Sequence, residues 1–140
     1  MTSTDNDNET ILGMIDCAGE KSRFYALFFT TNRIVIALTV SAVKLMVEPE
    51  LTCELRSVER AKQLAAMTPD AILETDKSNF FIPYDAIASI RVKKGGFFSS
   101  TFIMIVIDNK KRKFSFPKRE FDQCVDVLKK VIPDKLTILV

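Results

Sequence analysis

The spacing of hydrophobic and polar positions along this chain changes period most sharply near its end. Thr101-Phe-Ile-Met-Ile-Val-Ile-Asp108 is an apolar, β-branched run, Asp108-Asn-Lys-Lys111 is a turn, and Arg112-Lys-Phe-Ser-Phe116 alternates polar with aromatic residues. Together they predict a β-hairpin closed off by Pro117, with Phe114 and Phe116 turned inward. From Lys118 onward the period lengthens to about 3.6. Phe121, Cys124, Val125, Leu128, Val131 and Ile132 then share one face of a helix, and Lys118, Arg119, Asp122, Asp126, Lys129 and Lys130 share the other. Such a helix has to bury its stripe against the sheet that precedes it.

The earlier part of the chain reads mainly as strands. A first strand over 10–17, weakened at Gly13, leads through a polar connection at 18–22 into strands at 23–30 and 33–40, which flank the short turn Thr31-Asn32. Ile34, Ile36, Leu38 and Val40 share a face. The composition then turns charged. Residues 41–47 fit a short helix or a loop, and 50–67 fit an inserted amphipathic helix with Leu51, Leu55, Val58, Lys62 and Ala65 along its stripe and Thr68-Pro69 as its stop. A charge-rich helix of this kind is ordinarily a solvated element, a partner-binding face being the alternative. A short strand at 79–83 is limited by Pro83; in the next, Ile90 and Val92 face in and Arg91 and Lys93 out, with Ile87 out of phase as for a bulge.

Several strands, notably 24–29 and 102–107, are apolar on both faces, so part of the outer surface of the sheet requires cover. The inserted helix is the simplest cover. A homo-oligomeric contact is the other, and Leu136-Thr-Ile-Leu-Val140, with Leu136, Ile138 and Val140 on one side, is the segment suited to pairing with a sheet edge.

Composition narrows the function more than it identifies it. The chain has 140 residues, 47% of them hydrophobic and eleven of them phenylalanine, enough for one domain with a core that needs no disulfide or metal. A net charge of +2 does not imply a nucleic-acid partner. Histidine is absent, which removes the commonest general base and zinc ligand, and Asp70, Glu74, Asp76 and Asp85 are scattered with neither calcium-loop spacing nor a companion base. No enzyme activity, cofactor or metal is expected. Cys17, Cys53 and Cys124 are odd in number and widely spaced, as for reduced buried thiols of a cytoplasmic protein. Residues 1–9 are expected to form a loose polar tail, 10–133 the domain with a helical insertion at 41–69, and 134–140 an apolar extension.

Two features carry binding chemistry. Lys110, Lys111, Arg112 and Lys113, with Lys93 and Lys94 in the neighbouring strand, form a basic cluster that could meet the phosphates of an anionic surface; turn lysines also simply keep hairpin edges soluble. Phe97 and Phe98, beside Gly95-Gly96, are an aromatic pair in a loop between strands, suited to a membrane interface or a partner's pocket. Nucleic acid is not expected, because the aromatics that alternate with the cations point inward.

Phe28-Phe-Thr-Thr-Asn-Arg-Ile-Val-Ile-Ala37 with its T-x-x-R turn, Leu73-Glu-Thr-Asp-Lys77 with Ile82-Pro-Tyr-Asp-Ala-Ile-Ala-Ser-Ile-Arg-Val92, and the last hairpin with its following helix are three stretches that resemble the pleckstrin-homology-like barrel, in particular its bacterial and GRAM-type members. The segment 41–69, where that family has a short link, is the departure. The resemblance implies a seven-stranded antiparallel barrel capped by a C-terminal helix, with a helix inserted between the third and fourth strands. It also implies a non-enzymatic binding module, and it marks Lys21 and Arg23, in the first hairpin, as the position of an anion site in lipid-binding members. The resulting expectation is protein–protein interaction or self-association, with peripheral binding to an anionic membrane through the basic turns as the alternative.

Overall fold

The computed structural model describes residues 9–140, so all but Glu9 of the tail expected over 1–9 lies outside the described residues. Eight strands make one sheet: β1 (Ile11–Glu20), β2 (Arg23–Thr30), β3 (Arg33–Val40), β4 (Phe80–Pro83), β5 (Ser89–Lys93), β6 (Phe102–Ile107), β7 (Lys110–Ser115) and β8 (Leu136–Leu139). Across the sheet they run β4-β3-β2-β1-β7-β6-β5-β8. Neighbours are antiparallel except β5 and β8, which are parallel. The long strand β1 joins the two halves, pairing with β2 along most of its length and with β7 at Gly19 and Ser115.

The expected closed seven-stranded antiparallel barrel is thus corrected to an open, mixed, eight-stranded sheet in an α+β fold. Closure would need β4 and β5 to pair, and neither edge is available. The C-terminal segment takes the β5 edge, with Ile90 opposite Leu136 and Lys93 opposite Leu139. At the other edge β4 is four residues long and ends in Pro83, which has no N–H to donate.

The inner face of the sheet holds the main core. Leu27, Phe29, Ile34, Ile36, Ile90, Ile103, Ile105 and Phe114 are fully buried there, and Tyr25 meets Phe114 edge to face at 5.8 Å. Helix α4 (Phe121–Val131), the last of the four numbered helices, follows a single tight turn at Lys118–Glu120 and closes this face with Phe121, Cys124, Val125, Val127 and Leu128. Gly13 allows the close approach: a side chain there would meet Val127 at 3.3 Å. Ile87 is buried in the connection after the Tyr84–Ala86 turn, outside β5, so the bulge expected there is not present.

The insertion between β3 and β4 is three helices, α1 (Ala42–Val47), α2 (Glu50–Ala65) and α3 (Pro69–Glu74). Thr68-Pro69, expected as a stop, instead starts α3: Thr68 Oγ1 accepts from the Ala71 N–H at 3.2 Å and Pro69 takes the first helical position. Helix α2 covers the outer face of β1, β2 and β3 with Cys53, Ser57, Ala61 and Leu64, over Ala26, Phe28, Val35 and Ala37. This face was expected to carry Leu51, Leu55, Val58, Lys62 and Ala65. Leu51, Leu55, Lys62 and Ala65 are exposed and Val58 only half-buried, because the face toward the sheet is taken by Leu64 and the small residues Cys53, Ser57 and Ala61. Ser57 fixes the contact, its hydroxyl donating to the Asp16 carbonyl at 2.7 Å and lying 2.6 Å from Thr39 Oγ1.

Candidate functional site

The sheet separates the basic residues that the sequence groups together. Arg112 turns to the inner side, where its Nε and Nη2 each donate to Glu20 at 2.6 Å and its guanidinium lies over the rings of Phe80 and Phe114. The Glu20 carboxylate raises its pKa further, against the lowering effect of burial. Arg112 is therefore a structural cation and not part of a surface cluster with Lys110, Lys111 and Lys113. The alternation of a strand places neighbours on opposite faces.

Lys21 and Ser22 form the β1–β2 turn, both in the left-handed region at φ 50° and 62°. Lys21 and Arg23 line a cleft of about 640 Å³ that reaches the start of α2 and the chain after β7. Arg119 also lines it, and so do Glu20, Glu50 and Glu54. The cleft is of mixed charge, with no dominance of cations for an anion.

A more uniform surface lies on the outer face of the second half-sheet. In register, Arg91 stands beside Met104 and Met104 beside Lys113; one row on, Lys93 stands beside Phe102 and Phe102 beside Ser115; on the other side Ser89, Val106 and Lys111 align. Phe102, Met104 and Val106, all half-buried, form an apolar row along β6, flanked by Arg91 and Lys93 on β5 and by Lys111 and Lys113 on β7. The Lys113 ammonium sits 4.2 Å above the Phe102 ring. Arg91 is the site residue missed by grouping along the sequence; its outward position was readable from strand alternation, its place opposite Lys113 was not.

Phe97 and Phe98 are almost fully exposed, at 94% and 96%, and contact each other at 4.8 Å in the β5–β6 loop. A side chain on Gly95 would collide with the Ser99 carbonyl, so glycine is required at the root of this loop. Lys94 holds the C-terminal segment beside it, its N–H donating to the Leu139 carbonyl at 2.9 Å, and its ammonium reaches the Phe121 ring. Val140 is exposed next to this loop, whereas Leu136 and Ile138 turn in and pack on the core. Lys110 lies at the far end of β6, opposite Ile107, so the basic β6–β7 turn and the aromatic loop do not form one surface.

The T-x-x-R turn and the I-P-Y segment serve the fold. Thr30 Oγ1 accepts from the Asn32 and Arg33 N–H groups and donates to Glu9 at 2.5 Å, and Arg33 reaches both Glu9 and Asp70. The Tyr84 hydroxyl donates to the Thr30 carbonyl at 2.6 Å, and burial raises its pKa. The cysteines are buried, and burial pushes the Cys17 and Cys124 thiols up to about 12, away from nucleophilic reactivity. Glu120 is the unusual acid. It is 8% exposed, its Oε1 accepts from the Asp16 N–H at 3.3 Å, and its Oε2 has no partner. Among the described residues no group of His, Cys, Asp or Glu side chains is arranged to hold a metal ion, and no helix is long and apolar enough to cross a membrane.

Five of the exposed large apolar side chains among the described residues are on the insertion. Val43, Met46 and Val47 on α1 and Leu51 and Leu55 on α2 are between 64% and 82% exposed. Glu48 ties the two helices, accepting from Lys44 at 3.3 Å and Arg56 at 2.8 Å.

No family model matches the chain, and no curated protein matches it. Among solved structures it is similar to the C-terminal domain of an unknown protein from Leishmania infantum, with a TM-score of 0.51 and 19% identity over 91% of this chain and 87% of that one. At that identity the likeness concerns the fold alone.

Proposed function

We propose that this chain is a non-enzymatic, pleckstrin-homology-like binding module that associates with proteins, and first with a second copy of itself, through its helical insertion. The resemblance in fold is supported by the two meanders β1–β4 and β5–β7, joined through β1 and β7 and followed by a helix over the inner face. The observation that carries the function is the exposure of Val43, Met46 and Val47 on α1 and of Leu51 and Leu55 on α2. One exposed leucine is ordinary, but a set of large apolar side chains held on two linked helices marks an interaction surface. Burying such a side chain stabilises by about 1.5–3 kcal/mol. The fold itself leaves that gain unused, because α2 faces the sheet with Cys53, Ser57, Ala61 and Leu64.

These helices suit a self-complementary contact. They and the link between them carry charges of both signs, Lys44 and Arg56 with Glu48, Glu50 and Glu59, so a twofold arrangement can match opposite signs. Sedimentation or light scattering over a concentration series provides the test. The wild-type chain should form a dimer with rising concentration, and Leu51→Glu with Leu55→Glu should remain monomeric with an unchanged circular dichroism spectrum. A wild-type chain that stays monomeric throughout the series, or a double variant that still dimerises, would refute self-association through this face.

A further inference from the structure

The outer side of the sheet is half covered. Over β1, β2 and β3 the chain lays its own helix α2, and over β5, β6 and β7 the apolar row Phe102, Met104 and Val106 has no helix of the described residues above it and lies between four cations, the Lys113 ammonium over the Phe102 ring. We infer that this second half is a docking site for a short acidic amphipathic helix of a partner protein. Its apolar ridge would sit on the β6 row and its carboxylates would meet Arg91 and Lys93 on one side and Lys111 and Lys113 on the other. This site is independent of the self-association assigned to α1 and α2.

Charge supports the choice of occupant. The outward positions of these three strands are Ser89, Arg91 and Lys93, Phe102, Met104 and Val106, and Lys111, Lys113 and Ser115, with no carboxylate among them. A second copy of this chain would set like charges against one another, which excludes the face from a symmetric dimer. Dimensions agree. With strands about 4.8 Å apart, Arg91 and Lys113 lie on backbones roughly 10 Å from each other across Met104, close to the diameter of a helix. Four residue rises from Phe102 to Val106 give about 13 Å, the length of roughly nine helical residues.

Charge and apolar area together favour an amphipathic helix. The apolar row is half-buried, and Arg91, Lys111 and Lys113 are exposed along its two sides, with the Lys113 ammonium leaning over the Phe102 ring. Such a helix offers an apolar ridge to Met104 and Val106 and carboxylates to both sides at once, whereas an anionic bilayer, whose headgroups would meet the same cations, is the alternative that the test separates. Phe97 and Phe98 stand beyond the Phe102 end of the row, where they can pack on the end of the helix.

The test uses nuclear magnetic resonance of the isotope-labelled chain with a synthetic peptide of about ten residues held helical by a side-chain crosslink on its solvent face, leucines along one stripe and glutamates on both flanks. Oligo-glutamate and phosphatidylserine vesicles serve as comparisons. The peptide should shift amide signals of 89–93, 102–106 and 111–113, and Arg91→Glu with Lys113→Glu should weaken binding at least roughly tenfold, a change of about 1.4 kcal/mol. Met104→Ser should weaken it as well, without altering its salt dependence. Both variants should keep the wild-type melting temperature to within a few degrees, since the charged pair is exposed and Met104 half-buried. The inference is overturned if the peptide does not bind, if its signals map to α1 and α2, if oligo-glutamate binds as tightly as the peptide, or if vesicles bind through these residues while the peptide does not.

Discussion

Arg33 grips Glu9 along two parallel bonds, Nε to Oε2 and Nη2 to Oε1, each 2.9 Å long. The Glu9 side chain is 1% exposed and that of Arg33 is 12% exposed, so the pair is withdrawn from water, and Asp70 of α3 adds a third contact at 2.8 Å. The pair pins the start of the first strand and the helical insertion to one turn. Its hydrogen bonds to Glu9 hold the Arg33 guanidinium above its ordinary pKa. Arg33→Ala should destabilise the fold by about 3–5 kcal/mol in urea unfolding, because it leaves a buried carboxylate without its counter-charge. Replacing both partners, Glu9→Gln with Arg33→Met, should cost much less than the two single changes added. Additive losses would mean that the pair is not a coupled unit.

The β1–β2 turn should be easier to improve than to break. Lys21 and Ser22 both have positive φ, the geometry that two-residue hairpins fill best with Asn-Gly. Lys21→Asn with Ser22→Gly relieves that strain and should raise stability by about 0.5–1 kcal/mol. Thermal melts of the variant should show an increase of a few degrees; a decrease would indicate that the Lys21 ammonium stabilises the cleft it lines.

Much of the scaffold was legible because it is local. The last hairpin with its helix, the in-and-out alternation of Ile90, Arg91, Val92 and Lys93, and the need to cover the apolar outer side of 24–29 all follow from period and composition. Two features were not legible for physical reasons. Helix α2 presents Cys53, Ser57, Ala61 and Leu64 to the sheet, a stripe chosen by how closely backbones approach and not by hydropathy, and so Leu51 and Leu55 were assigned to the wrong side. The parallel pairing of β8 with β5 depends on which edge a distant segment can reach, and local alternation does not report that. The basic strip along β6 shows the same limit: Arg91 and Lys113 flank Met104 only once register is known.

The C-terminal strand protects the β5 edge, and its removal should reveal this. Leu136 and Ile138 pack against the core and β8 pairs with β5 from Ile90 to Lys93. Truncation after Lys135 should destabilise the domain by roughly 2–3 kcal/mol from lost apolar burial and leave an unpaired edge open to other chains. Urea unfolding together with light scattering should show a lower midpoint and aggregation. A truncated chain of unchanged midpoint would show that β8 contributes nothing to the fold.

Glu120 should make stability depend on pH in the direction opposite to an ion-paired carboxylate. Burial first, and then the neighbouring Asp16 carboxylate, push its pKa up from 4.5 to about 7, against a weaker opposing pull from Arg119. The folded state therefore holds the Glu120 proton more tightly than the unfolded chain does. Its contribution is complete below the unfolded value of 4.5 and is lost as pH rises through about 7. The size is roughly 1–3 kcal/mol. Glu120→Gln keeps the shape, removes the titration and allows an amide N–H to face Asp16. The wild-type chain should thus lose melting temperature relative to this variant between pH 5 and pH 8, and the variant should be the more stable of the two at pH 8. Parallel melting curves for the two chains across that range would show that Glu120 ionises in the folded protein as it does in water.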